Sequence, residues 1–466
     1  MVKSRPSYPV TRLDYSLPPE LIAQQPLAER SASRMLHVQA GGADTEVGQA
    51  SSLPEQNHRQ DACATSTSRI ADRIFAELPE LLPPRCLIVL NDSRVIPARL
   101  YGERAVSPLG QGGGRVEVLF HRWLGEGVCE AVVGSGASQP AGEKVLLPAG
   151  WRCELLDPKC ADSTRVRYLT PRGRPAELAE LLGYLERYGL PPLPPYIKRG
   201  GLAPVLQAPV AADSRGARGE ISRGGRPQRL PATQDDPQAA TPAATRDIPV
   251  TPDADRQRYQ TVYAQQPGSV AAPTAGLHFD EAMLQRLRAD GHEFAQVTLH
   301  VGLGTFAPLR VTDLRDHEMH EEAYSVTPRA CEAYLRARET GRPVLAVGTT
   351  SLRVLHTLLG RAAVLGRLTG GQPSLAAERA AGRDARAPEA LTGLTRAFIY
   401  PGQGTQACDL LLTNFHLPRS TLLALLYSFG GEELLKRAYA HAIAQRYRFF
   451  SYGDCMLIDR RLSGLW

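Results

Sequence analysis

Between residues 115 and 170 the chain changes its period. The runs RVEVLFHRW, GVCEAVVGS, EKVLLPAG, WRCELL and TRVRYLT follow one another at roughly ten-residue spacing, separated by Gly, Pro, Asp or Ser. Side chains on a strand alternate between two faces, so each short run buries one side only and needs the others to form a core. Several such strands at even spacing predict a small antiparallel barrel or sandwich over residues 100–170. On either side the pattern is different. LIVLN, VTLHV, VLAVG, AFIYP and LLLTN read as buried strands, and DEAMLQRLRAD, TTSLRVLHTLLG, STLLALLYSF and EELLKRAYAHAIAQRY read as helices by their apolar spacing. The expectation is an α/β chain: a mainly parallel sheet flanked by helices, built from 1–99 and 171–466, interrupted by a small inserted antiparallel β-barrel.

Three stretches, at about 39–69, 200–255 and 361–393, are rich in Gly, Ala, Pro, Ser, Arg and Asp and poor in apolar periodicity. They bury too little apolar surface to offset ordering entropy and read as flexible surface insertions, the third with room for part of a helix. No run of 18 apolar residues suggests a membrane helix, and the first residues lack the apolar centre of a signal peptide, so a cytoplasmic location is expected. The 8 cysteines show no CxxC spacing and read as reduced thiols. A net charge of +6, from 54 basic and 48 acidic residues, favours an anionic partner without choosing between nucleic acid and a phosphorylated metabolite.

The polar residues concentrate in a few places. Of 11 histidines, His278, His292, His300, His317 and His320 fall within one stretch. His300 follows a strand and precedes Gly302 and Gly304, the place where open α/β sheets bind ligands and where glycine lets a substrate approach the main chain. An ordinary turn with a satisfied histidine explains the same residues. HEMHEE, from His317 to Glu322, has its histidines at i, i+3 rather than the i, i+4 of HExxH. It suits a solvated face or an acid–base cluster better than a metal site. Pro273, Thr274 and Gly276 lie in a stretch of small residues suited to a close-fitting loop or a tightly packed turn. Thr349, Thr350 and Ser351, and again Ser420 and Thr421, stand between strand and helix, where they cap the helix and where its N-terminus can hold an anion.

Taken together these segments resemble one family. SLPPELIAQQPLAERSASRML, LIVLNDSRVIPARL, LPPLPPYIKR, RYQTVYAQQPGSVAAPTAGLHF, VTLHVGLGTFAPL, HEMHEE, AVGTTSLRVL, FIYPGQG, LLTNFHLPRSTLLALL and YRFFSYGDCMLI occur in the order seen in the ribosyltransferase-isomerase family of queuosine biosynthesis. Two positions depart from that pattern: His356 stands where a Glu often follows the SLR block, and Cys455 where a small residue is common. The resemblance implies an α/β domain interrupted by a β-barrel. It also implies transfer of the ribosyl part of S-adenosylmethionine to the aminomethyl group of 7-aminomethyl-7-deazaguanine at the tRNA wobble position, giving epoxyqueuosine with release of adenine and methionine. S-adenosylmethionine is then a co-substrate, and no metal or other cofactor is implied.

That chemistry needs proton acceptors near a sulfonium and a proton donor for departing adenine, roles that suit histidine. His278, His300, His317 and His320 are the candidates, with Glu321 or Glu322 orienting one of them. Gly276, Gly302 and Gly304 would accommodate the nucleoside. Arg94, Arg99, Lys198 and Arg199, in the segments leading into and out of the barrel, are candidates to hold tRNA, and the chain is expected to act as a monomer. Competing readings are an S-adenosylmethionine methyltransferase, although no GxGxG turn follows the first strand, a metal hydrolase built on the histidines, and a non-catalytic tRNA-binding protein.

Overall fold

A computed structural model describes residues 7–40, 69–105, 113–134, 139–160, 163–199, 251–302, 309–369 and 390–461. Its centre is a nine-stranded sheet, in the spatial order Leu391–Thr395, Glu322–Val326, Glu293–Leu299, Leu87–Asn91, Val344–Val347, Leu410–Asn414, Cys455–Asp459, Arg34–Gln39 and Arg69–Ile74. The strands Leu87–Asn91, Val344–Val347, Leu410–Asn414 and Cys455–Asp459 are buried along their whole length, as strands covered on both faces must be. Register separates two cores. Ala295, Val89, Ala346, Leu411, Ile458 and Val38 form one row across the sheet. That row packs under the helices Pro328–Glu339, Gly348–Thr369, Thr421–Gly430 and Glu432–Ala444. Ile88, Leu345 and Leu457 point the other way, onto Phe75, Leu78 and the helix Glu281–Ala289.

The expectation of a mainly parallel sheet is corrected. Only the four middle strands, from Glu293–Leu299 to Leu410–Asn414, run parallel throughout. The Cys455–Asp459 strand enters antiparallel to one neighbour and parallel to the other, and both margins end in antiparallel pairs, so the sheet is mixed. AFIYP is not a strand; the pairing falls just before it, on Leu391–Thr395. Thr395 Oγ1 accepts the Ala397 amide at 3.1 Å, which turns the chain out of the ladder.

The second unit is a closed six-stranded antiparallel barrel: Thr164–Leu169, Val128–Gly134, Arg115–Gly125, Arg99–Arg104, Lys144–Leu146 and Arg152–Leu155. Its interior is plugged by the helix Leu178–Tyr188, whose Leu181, Tyr184 and Leu185 join the barrel core. A capping box between Glu177 and Glu180 starts this helix. It stops at Gly189, where a side chain would collide with the Pro97 carbonyl and hold the barrel off its neighbour.

Most of each expected insertion lies outside the described residues, but their edges are ordered. The second ends in the helix Pro252–Arg258, capped by Thr251, and its Asp255 is buried. The helix Gly348–Thr369 runs into the third, where apolar spacing alone had suggested an end near Gly360. Among the described residues no helix is long and apolar enough to cross a membrane.

Candidate functional site

The strands Val344–Val347 and Leu410–Asn414 are parallel neighbours, and the segments that leave their carboxyl ends diverge. One turns at Gly348, with φ +87°, straight into a helix. The other runs through residues 415–419 before Ser420 caps the next helix, its Oγ accepting the Leu423 amide at 3.2 Å. The crevice between them is where an open α/β sheet binds ligands. It holds an open cavity of about 240 Å³. Gly348, Thr349 and Thr350 form one wall, Thr413 to Pro418 a second, Ala272 to Ala275 with Val301 a third, and Phe450, Ser451 and Tyr196 the rim. Among the described residues, two buried oxygens on these walls, Thr350 Oγ1 and Asn414 Oδ1, have no hydrogen-bond partner of good geometry.

Of the residues expected to bind substrate, Pro273, Thr274, Thr349 and Thr350 line this cavity. Ser351 is fully buried beneath it and donates to the Val347 carbonyl at 2.8 Å, which ties strand end to helix start. Gly276 is a packing glycine, since a Cβ there would run into the Tyr263 hydroxyl and the Thr261 methyl. Gly304 lies outside the described residues. Gly302 meets the barrel: a Cβ on it would sit 2.5 Å from Nε2 of His121.

The four histidines are not gathered into one cluster. His278 is buried, with Nδ1 2.8 Å from Ser33 Oγ, and burial pushes its pKa down to about 4. Asn414 stands close enough to favour the protonated ring, yet Nε2 makes no hydrogen bond of good geometry. The His300 ring packs against Gly268, and burial lowers its pKa too. His317 stacks edge-on to Phe398, its pKa lowered by burial and then by His320, which is exposed. Glu321 pairs with Arg396 at 3.0 Å and reaches Arg122 of the barrel at 4.0 Å. Glu322 is buried: one carboxylate oxygen accepts the Gly302 amide at 3.1 Å and the other pairs with Arg353. Among the described residues no three His, Cys, Asp or Glu side chains are grouped as metal ligands.

The cations expected to hold tRNA have partners of their own. Arg94 pairs with Glu186 at 2.8 Å, and Arg99 pairs with Glu117 at 3.1 Å and donates to the Leu193 carbonyl. Arg199 makes a bidentate pair with buried Asp255, both bonds 2.7 Å. Lys198 is exposed, and among the described residues its ammonium forms no ion pair.

Two histidines went unnoticed in the sequence. His416 lines the cavity from the 415–419 segment, its Nε2 2.7 Å from Thr413 Oγ1, and burial pushes its pKa down to about 3, so the ring is neutral. The signal was a histidine two residues beyond the strand-like run LLLTN. His121 carries a weaker signal. A bulge between Phe120 and Arg122 breaks the alternation of its strand and turns the ring toward Gly302.

The family match and the similar relatives agree with one another. The family described as Queuosine biosynthesis protein matches residues 54–458. A relative from Azoarcus sp. (strain BH72), named S-adenosylmethionine:tRNA ribosyltransferase-isomerase, is 40% identical over 455 residues, covering 96% of each chain. One of the same name from Thiobacillus denitrificans (strain ATCC 25259 / T1) is 39% identical over 451 residues, covering 97% of each. A solved structure, described as an S-adenosylmethionine tRNA ribosyltransferase from Thermotoga maritima, is 26% identical, covers 96% of this chain and 99% of that one, and has a TM-score of 0.41. With its ten sequence blocks in family order and a family match running across both sheet and barrel, this chain belongs to the queuosine biosynthesis protein family, that of the S-adenosylmethionine:tRNA ribosyltransferase-isomerases.

Proposed function

We propose that this chain transfers and isomerises the ribosyl group of S-adenosylmethionine onto the aminomethyl group of 7-aminomethyl-7-deazaguanine in tRNA, releasing adenine and methionine. The observation that carries the reading is the cavity at the carboxyl ends of the two parallel strands, in a chain of this family. Its mainly apolar walls, set with a few polar groups and open on one side, suit a nucleoside that is buried in part. The helix N-terminus at Gly348 to Thr350 suits a carboxylate. The unpartnered Thr350 and Asn414 oxygens are acceptors for an amino group or ring N–H, and Thr350 can also donate. Phe415, Phe450 and Val301 supply apolar contact.

Acid–base work falls to neutral imidazoles. His416 lies on the wall, and His278 stands behind Asn414, both held uncharged by burial. A neutral ring can accept a proton from the carbon beside the sulfonium or from the attacking ammonium. Glu322 acts as a positioning carboxylate that fixes Gly302 beside Val301. His300, His317 and His320 remain candidates for the proton transfers, with Glu321 beside them. In this reading the protein is a cytoplasmic monomer that uses S-adenosylmethionine as co-substrate and takes no metal or other cofactor.

Label tracing tests the assignment. With S-adenosylmethionine labelled in the ribose, tRNA should acquire label, and with the methyl group labelled it should acquire none. The opposite result would make the chain a methyltransferase.

A further inference from the structure

Beside the large cavity lies a shallow, half-open niche of about 20 Å³, and Ser451 lines both. Its walls include Arg30, Arg258, His278 and Tyr452. The two arginines differ from others in the protein that are equally withdrawn from water. Arg199, Arg338 and Arg353 face Asp255, Asp409 and Glu322. Arg30 donates only to the carbonyls of Leu277, Gln257 and Gln260, and Arg258 only to those of Leu27 and Ala28. Neither makes a salt bridge among the described residues, and the Nε of Arg258 is buried without an acceptor.

The acids nearby are occupied. Asp255 holds Arg199 and the Tyr452 hydroxyl, Asp280 accepts the Met283 amide, and Asp454 accepts the main-chain amides of Arg34 and Arg448. Burial, and then the neighbouring Arg258 charge, brings the Arg30 pKa down to about 10, and burial lowers that of Arg258. The carbonyl bonds stitch residues 27–30 to residues 257–277. Stitching explains their geometry, but it leaves two like charges together at the niche with neutral partners and one unsatisfied donor. Such a pair is stabilised by an anion, and the planar guanidinium fork matches a phosphate.

We propose that the open mouth of this niche, flanked by Arg30 and Arg258, is an anion subsite for a backbone phosphodiester of the RNA strand that delivers its base to the large cavity. This rests on the function proposed above. Ser451, shared by cavity and niche, puts the charge where a flanking phosphate of the reacting nucleotide would lie, and such contacts set the register of a nucleic acid on its protein.

The test uses the whole protein and an anticodon stem-loop bearing the aminomethyl base. Arg258→Gln and Arg30→Gln should each weaken RNA binding roughly tenfold, as expected for losing a charged hydrogen bond. Each should lower the slope of log affinity against log salt by about 0.7, the value for one phosphate on a single strand. KM for S-adenosylmethionine should not move, and Arg258→Lys should retain most of the binding. One loop phosphate made neutral as a methylphosphonate should cost the parent a similar factor and cost R258Q nothing further. Should R258Q misfold, the methylphosphonate series on the parent still decides: if no position matters, the proposal fails. It also fails if both glutamine variants bind as the parent does. Inorganic phosphate that displaces nothing from RNA, yet binds the parent and not R258Q, would make this a site for a free anion and overturn the assignment. Absence of adenine release by the parent protein would instead sink the function itself, and binding measured without turnover keeps the two failures apart.

Discussion

Glu322 and Arg353 lie 31 residues apart, on a strand and on the helix that begins at the cavity, with side chains 5% and 4% exposed. The second Glu322 oxygen takes the Gly302 amide, and Arg353 Nε donates to the Ala397 carbonyl at 3.0 Å. One Arg353 nitrogen is buried with no acceptor. Removing either partner leaves the other as an uncompensated buried charge, at a cost of about 3–5 kcal/mol. Replacing both with apolar side chains of similar volume is neutral or even stabilising by about 1–4 kcal/mol. Glu322→Leu and Arg353→Met should therefore each destabilise strongly, while the double variant should approach the parent. Urea unfolding followed by fluorescence and circular dichroism measures the cycle. Additive losses in the double variant, or single losses below about 1 kcal/mol, would refute the buried pair as the source of the effect. Activity separates stability from positioning. The double variant still lacks the acceptor for the buried Gly302 amide, so it should stay about 1–3 kcal/mol below the parent in stability and should not recover kcat.

Acid should weaken the fold through His278 and His416. Burial lowers their pKa values from an ordinary 6.5 to about 4 and about 3. Between pH 6.5 and those values the unfolded chain binds protons that the folded chain does not, so stability falls as pH drops through that window. A melting-temperature profile should show the fall, and His416→Gln should make it shallower. Gly302→Ala should slow turnover because the new methyl meets His121, and His121→Ala should restore part of the rate by making room. Thr350→Val should raise KM for S-adenosylmethionine several-fold while leaving RNA affinity unchanged, measured by initial rates and by filter binding.

The barrel was legible because five of its six strands stand out as short apolar-alternating runs; the sixth, Arg99–Arg104, was not read as a strand. The middle of the sheet was legible because LIVLN, VLAV and LLLTN are buried on both faces and read as unbroken apolar runs. The mixed order was not. It depends on Cys455–Asp459 inserting between Leu410–Asn414 and Arg34–Gln39, a pairing across most of the chain that leaves no local mark. Alternation of strands and helices implies parallel neighbours only where successive strands enter the sheet in the same direction, which holds here for the four middle strands.

At the site, the helix start after Gly348 could be read from a strand-to-helix transition and the segment around Thr274 from its run of small residues, and both line the cavity. The histidines could not be sorted by spacing. His278, His300, His317 and His320 lie close in sequence, but an intervening strand and helix carry them to different surroundings. His416, from a segment far along the chain, stands on the cavity wall. For the cations expected at tRNA, sequence shows a guanidinium but not its partner: Arg199 faces the Asp255 carboxylate, while among the described residues Arg258 faces only the main-chain carbonyls of Leu27 and Ala28.

The most direct measurement is the product balance of a single reaction. The protein is incubated with S-adenosylmethionine and tRNA carrying 7-aminomethyl-7-deazaguanine, and nucleosides and small molecules are then analysed by mass. Ring transfer predicts epoxyqueuosine in the tRNA, with one adenine and one methionine released for each. S-adenosylhomocysteine with a methylated nucleoside, or tRNA bound but unchanged with S-adenosylmethionine intact, would contradict it.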